Sequence, residues 1–186
     1  MSEPMSVAVV VGSLRAASFS RKLAQGLIAK APPSLSARII EIGDLALYNE
    51  DLDPNPPAPW TRFRDDITDA DAVLFVTPEY NRSIPGGLKN AIDIGSRPQG
   101  KNVFDGKPTG VVSDTPYKLG AFGANHILRQ SLVFLNMPVM QQPEAYIGSV
   151  AELFAEDGTL KPGDSAEFLA KFMAAFAKWV ATINAG

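Results

Sequence analysis

The feature that most restricts this chain is its first apolar run, SVAVVV at residues 6–11, which ends at Gly12 and soon gives way to helical spacing. A run this continuous and β-branched has no polar side to turn to water, so it reads as a strand buried on both faces of a parallel sheet. Over residues 18–30, SFSRKLAQGLIAK, Phe19, Leu23, Leu27 and Ile28 fall on one helical stripe behind a serine placed to cap. Parallel strands need crossovers, and a strand-loop-helix opening supplies the first of them.

The alternation recurs. Residues 37–42 (ARIIEI), 71–77 (DAVLFVT), 109–114 (TGVVSD) and 138–148 (PVMQQPEAYIG) read as further strands. Helical spacing appears at 60–70, 86–95, 123–136 and 165–183, the last a long amphipathic closing segment. This pattern predicts an α/β three-layer sandwich around a five-stranded parallel sheet, in the flavodoxin-like order 2-1-3-4-5. Ligands of that arrangement sit outside the carboxyl ends of strands 1 and 3, so the loops at 12–20, 78–85 and 113–123 should meet. With 186 residues, no internal repeat, and a proline-rich stretch at 54–59 flanked by the same alternation, the chain reads as one domain over 1–186.

Composition removes several classes of function. Hydrophobic residues at 46% and charged residues at 20% suit an ordinary globular chain, and a net charge of -3 gives no basic face for nucleic acid or a membrane surface. Without cysteine there is no disulfide, thiolate metal site or cysteine nucleophile, and the single histidine, His126, rules out a multi-histidine metal centre. The beginning, MSEPMSVAVVVG, carries an acidic residue where a signal peptide is basic, and its apolar run is too short to span a bilayer. A cytoplasmic place is the expectation.

The first loop holds Ser13, Arg15, Ser18 and Ser20 ahead of a helix whose opening N–H groups carry partial positive charge. It has one glycine where a dinucleotide pyrophosphate would demand several, and it lacks the Gly-Lys-Ser/Thr of a P-loop. A single phosphate fits such hydroxyls, with Arg15 free for a charge-assisted contact. Alternatively Ser18 or Ser20 only caps the helix and Arg15 is solvated. The second loop, within TPEYNRSIPGGLKNAID at 77–93, is stiffened by Pro78 and Pro85, so its backbone groups can face a flat heterocycle that Tyr80 partly covers. A plain turn is the competing reading, with Lys89 on a solvated helix face. The third loop, SDTPYKLGAFGAN, brings Ser113, Tyr117, Gly120 and Gly123 to the same edge, whereas Arg97, Lys101 and Lys107 read best as surface charges.

Together, GSLRAASFSRKLA, TPEYNRSIPGGLKNAID and HILRQSLVFLNMPVMQQPE resemble the NADPH-dependent FMN reductase family, in its bacterial quinone/chromate reductase and ferric reductase B branch. The resemblance runs over about residues 6–148, and the PEYN-x-S-x-P-G-x-L-K-N-A-I-D run is its most specific part. It implies a homodimeric or homotetrameric flavodoxin-like enzyme that holds FMN noncovalently. The flavin would take hydride from NADH or NADPH and reduce quinones, with chromate or ferric complexes among further acceptors. Carried over residue by residue, Ser13, Arg15, Ser18 and Ser20 would hold the FMN phosphate, with Leu14 and Phe19 contributing backbone. Pro78, Glu79, Tyr80 and Asn81 would border the isoalloxazine, and Ser113 would approach it from the third loop. Ser20 stands where relatives often carry asparagine, Ile94 replaces a common tryptophan, and the third loop departs from the usual serine-glycine-rich pattern.

The flavin would carry the chemistry, so no catalytic acid-base residue is expected. A nonenzymatic electron carrier of flavodoxin type is the alternative, but it would favour a strongly acidic docking face, which a charge of -3 does not supply. A hydrolase built on Ser113, Asp114 and His126 is weaker still, since two of the three are adjacent at a strand end and the histidine lies in a helical pattern.

Overall fold

The computed structural model describes residues 3–186. Five strands, β1 (Met5–Val11), β2 (Leu35–Ile40), β3 (Ala72–Thr77), β4 (Thr109–Asp114) and β5 (Ala145–Ile147), form one sheet in the order β2-β1-β3-β4-β5. Every pairing is parallel, with Val9 opposite Ile39 and Leu74, and Thr77 opposite Ser113. The helices are α1 (Phe19–Ala29), α2 (Ala58–Thr68), α3 (Gly86–Ser96), α4 (Phe122–Phe134) and α5 (Asp164–Asn184).

The apolar runs are continuous because the sheet is covered twice. Val7, Val9 and Val11 of β1 pack with Leu23 and Leu27 of α1 and with Leu169, Phe172 and Phe176 of α5. Ala8 and Val10, on the other side of the same strand, pack with Trp60 and Phe63 of α2, Leu88 of α3 and Leu128 of α4. All six residues of β3 are buried, as the central position demands. Each fully buried large aliphatic side chain contributes roughly 1.5–3 kcal/mol before chain entropy is set against it.

Apart from one-residue shifts at the start of β1 and β3, two strands depart from the expectation: β2 is displaced by two residues and β5 is shortened. β2 begins two residues earlier than Ala37, because Leu35 is buried opposite Met5 and the Met5 N–H already reaches the Ser34 carbonyl. The fifth strand shrinks from 138–148 to Ala145–Ile147, preceded only by a single bridge between Thr109 and Val139. Pro138 and Pro143 lack the N–H a ladder needs and interrupt the segment.

Candidate active site

The carboxyl ends of β1, β3 and β4 open into one cleft of about 610 Å³, within the range of small-molecule sites. Ser13, Arg15, Phe19 and Ser20 line it from the first loop and the start of α1; residues 78–82 form a second wall; and Asp114, Thr115, Pro116, Tyr117, Leu119 and Ala121 form a third.

The first wall is built around the α1 N-terminus. Ser18 is its cap: the hydroxyl oxygen accepts the Arg21 N–H at 3.1 Å, and the Ser18 carbonyl accepts from Lys22. That leaves the amides of Phe19 and Ser20 ahead of the first helical bond, at the positive end of the helix dipole. Ser18 and Ser20 are both buried, whereas Arg15 is exposed and free of ion pairs among the described residues. The lone Gly12 serves packing, since a Cβ there would come within 2.9 Å of Thr77 Oγ1 and 3.1 Å of Leu88 Cδ2. Leu14 turns the other way, with its side chain near Gly43 and Gly87, and lines a neighbouring cavity of about 360 Å³.

The second wall is a tight hairpin. Tyr80 and Ser83 exchange both backbone hydrogen bonds at 2.9 Å, and Asn81 and Arg82 take the left-handed region at φ 52° and 63°, the pattern of a type I′ turn. Among the described residues, no backbone carbonyl takes the Asn81 or Arg82 amide. Glu79 has a different role from its neighbours. Its Oε2 accepts the Ala124 N–H at 3.1 Å and its Oε1 accepts from Arg82 at 2.8 Å, so the carboxylate ties the turn to the first turn of α4. Ala121, which precedes α4, sits at φ 57° and offers no capping side chain.

Ser113 is fully buried and is not among the cleft-lining residues. Its hydroxyl donates to the Gly120 carbonyl at 2.7 Å and accepts from Asn125 Nδ2 at 3.1 Å. The hydroxyl thereby shapes the third loop at Gly120, where φ is +59° and a Cβ would strike the Tyr146 backbone at 2.6 Å. No nucleophile-base pair exists with His126, whose Nε2 lies 3.0 Å from the Tyr146 hydroxyl on the surface. Lys89 pairs with Asp93 on an exposed helix face, and Lys107 donates to the Thr68 and Ala70 carbonyls, away from the cleft.

One cleft residue, considered from the sequence only as part of a weak hydrolase triad, is distinguished by its burial. Asp114 is only 2% exposed, and its Oδ2 has no hydrogen-bond partner among the described residues. Burial pushes its acid up to about 6, against the opposing effect of the Ser20 hydroxyl, which donates to the charged form. As a plain acid following a strand it carried no sequence signal beyond its place at the sheet edge.

The fold and the cleft define a flavodoxin-like mononucleotide-binding protein: a doubly covered parallel sheet with an anion-ready helix end at its topological switch point. The chain belongs to the NADPH-dependent FMN reductase family, whose profile matches residues 5–152. It is 60% identical over 181 residues to a quinone reductase of Pseudomonas putida, covering 97% of each chain. It is 41% identical over 176 residues to a 2-hydroxy-1,4-benzoquinone reductase of a Burkholderia species, covering 95% of this chain and 96% of the other. Among solved structures, the flavoenzyme NAD(P)H:(acceptor) oxidoreductase FerB of Paracoccus denitrificans superposes with a TM-score of 0.90 at 43% identity, covering 96% of this chain and 98% of that one. The protein is therefore an oxidoreductase that works with FMN and a reduced nicotinamide.

Proposed function

We infer that this oxidoreductase passes two electrons as hydride from NADH or NADPH, through FMN, to a quinone. The observation that carries the reading is the division of one cleft into an anion end and a planar end. Ser13, Ser20, Arg15 and the open amides of α1 suit the phosphate. Pro78, Tyr80, Tyr117 and Leu119 offer apolar walls for a ring, and the unshared amides of Asn81 and Arg82 are donors beside it. A cleft of about 610 Å³ accommodates a mononucleotide of this kind. Bound FMN supplies the hydride-accepting ring that no side chain replaces.

The residues then do three things. The first loop anchors the charged tail, the rigid 80–83 turn presents its N–H groups toward the ring edge, and the third loop narrows the space through which donor and acceptor enter in turn. A second copy of the chain covers the outward face of α4, where Phe122, Ile127, Val133 and Phe134 are exposed, giving a homodimer or homotetramer. Because Phe122 directly follows the cleft residue Ala121, that copy also closes the cleft on its open side. The 1–186 chain acts as one FMN-binding unit in the cytoplasm, where reduced nicotinamide is at hand. Among the described residues, no helix is long and apolar enough to cross a membrane.

The test is optical. Protein loaded with FMN should bleach on anaerobic addition of NADH or NADPH and recover its colour on addition of a benzoquinone. A protein that takes up no FMN, or whose bound flavin neither nicotinamide reduces, would overturn the reading.

A further inference from the structure

Asp114 is the one buried acid on the cleft wall that the first-loop anion site does not use. It ends β4, beside Ser20 of α1, with an unpartnered oxygen on a side chain that the protein otherwise encloses. A buried acceptor left without a donor is destabilising, and native structures keep such a group where a ligand completes it. What completes it must donate. A phosphate at the neighbouring helix end is an anion and cannot stabilise a carboxylate, so the partner is a neutral O–H or N–H from the part of the ligand between its anion and its ring. In a flavin mononucleotide that part is a chain of hydroxyls.

We propose that Asp114 accepts a hydrogen bond from a hydroxyl of the ribityl chain and so sets the depth at which the flavin sits between the phosphate end and the 80–83 turn. The proposal rests on the FMN reading above and assigns this chain's own residue a recognition role toward the polyol. The other charged and titratable groups on the cleft wall are Arg15 of the first loop, Glu79, Tyr80 and Arg82 of the second, and Tyr117 of the third. Glu79 and Arg82 already hold each other, Arg15 has no acceptor, and the Tyr80 and Tyr117 phenols are exposed, so none of them offers the buried carboxylate acceptor that Asp114 does.

The experiment compares three flavins on the wild type, Asp114→Asn and Asp114→Leu by quenching of flavin fluorescence. FMN carries polyol and phosphate, riboflavin carries the polyol alone, and lumiflavin carries neither. A hydrogen bond to a charged group is worth enough that Asp114→Leu should weaken FMN and riboflavin each by about tenfold or more. Lumiflavin should be unchanged, and Asp114→Asn, which keeps an acceptor oxygen, should recover part of the loss. Three results would overturn the assignment: equal losses for all three flavins, tighter FMN with unchanged riboflavin, or wild-type protein that takes riboflavin no better than lumiflavin. If Asp114→Leu does not fold, the riboflavin affinity of wild type against Asp114→Asn decides. It should rise with pH through about 6 in the wild type only, and matching profiles would refute the proposal. Wild-type protein that binds no FMN would sink the underlying reading instead; wild-type binding with an indifferent Asp114→Leu sinks only this one.

Discussion

Asp114 is where a single residue's environment has the largest consequence. Its acid, ordinarily near 3.8, titrates at about 6 because burial disfavours the charged form. The folded value lies above the unfolded one, so the stabilising contribution is complete below about 3.8 and is lost as pH rises through about 6. For a group this enclosed the loss amounts to about 3 kcal/mol. Urea unfolding of flavin-free protein between pH 4 and 7 should show Asp114→Asn gaining on the wild type by that amount as pH rises. A difference that stays level across the range would mean the carboxyl is hydrated in the folded state. Glu41, which Arg21 holds below the usual carboxylate range, acts in the opposite direction but is common to both proteins and cancels. The contrast with Arg15 shows what a sequence exposes at this scale. An arginine and serines after an apolar run have a readable chemistry, whereas Asp114 acquires its character only from burial by segments distant in the chain, and Ser113, expected to approach a ring, is buried and bonded to Gly120 and Asn125.

At the scale of elements, Glu79 joins two of them. A helix ordinarily finds its N-cap in the preceding residue, but the left-handed Ala121 gives α4 none, and the Glu79 carboxylate takes the Ala124 N–H from across the cleft. Gly123 leaves it room, since a Cβ there would stand 2.9 Å from Glu79 Oε2. Removing the carboxyl with Glu79→Ala should cost about 1 kcal/mol, as other cap losses do, and lower Tm by about 2–4 °C. It should also weaken FMN binding, because the 80–83 turn loses its anchor to α4. Glu79→Gln keeps an oxygen for the Ala124 N–H and should retain most of both. Thermal unfolding beside flavin titration checks the pair; loss of FMN with unchanged Tm would instead place Glu79 on the flavin itself. Such a contact was not legible beforehand, because PEYN in the sequence marks a loop but not the helix it braces. Periodic elements are more readable: β1 and β3 are continuous apolar runs, and α1, α3 and α5 keep one stripe inward. β5 is shorter than its apolar residues suggest because two prolines among them lack the N–H a ladder needs.

Across the whole molecule, the two layers of helix account for nearly every long apolar run except one. α4 buries Ala124, Leu128 and Leu132, yet it also presents Phe122, Ile127, Val133 and Phe134 outward. At 100° per residue these four occupy an arc of about 140°, which they share with the exposed His126 and Gln130, so the outward face is apolar with a polar strip through it. With apolar residues both on the buried stripe and on the outward arc, the sequence alone does not tell which side the sheet takes. The sheet takes one; the other is the face proposed above for a second copy. Phe134, at 83% exposed, contributes little to the fold, so Phe134→Glu should leave Tm within about 1 °C while placing a charge on the proposed contact face. Sedimentation should then show the dimer or tetramer dissociating at concentrations about tenfold or more higher than for the wild type. If the proposed copy closes the cleft beyond Ala121, quinone turnover should fall with dissociation while FMN affinity, which the proposal assigns mainly to the first loop, changes less. An unchanged mass for the variant would move the assembly contact to another face and leave this apolar arc without a partner.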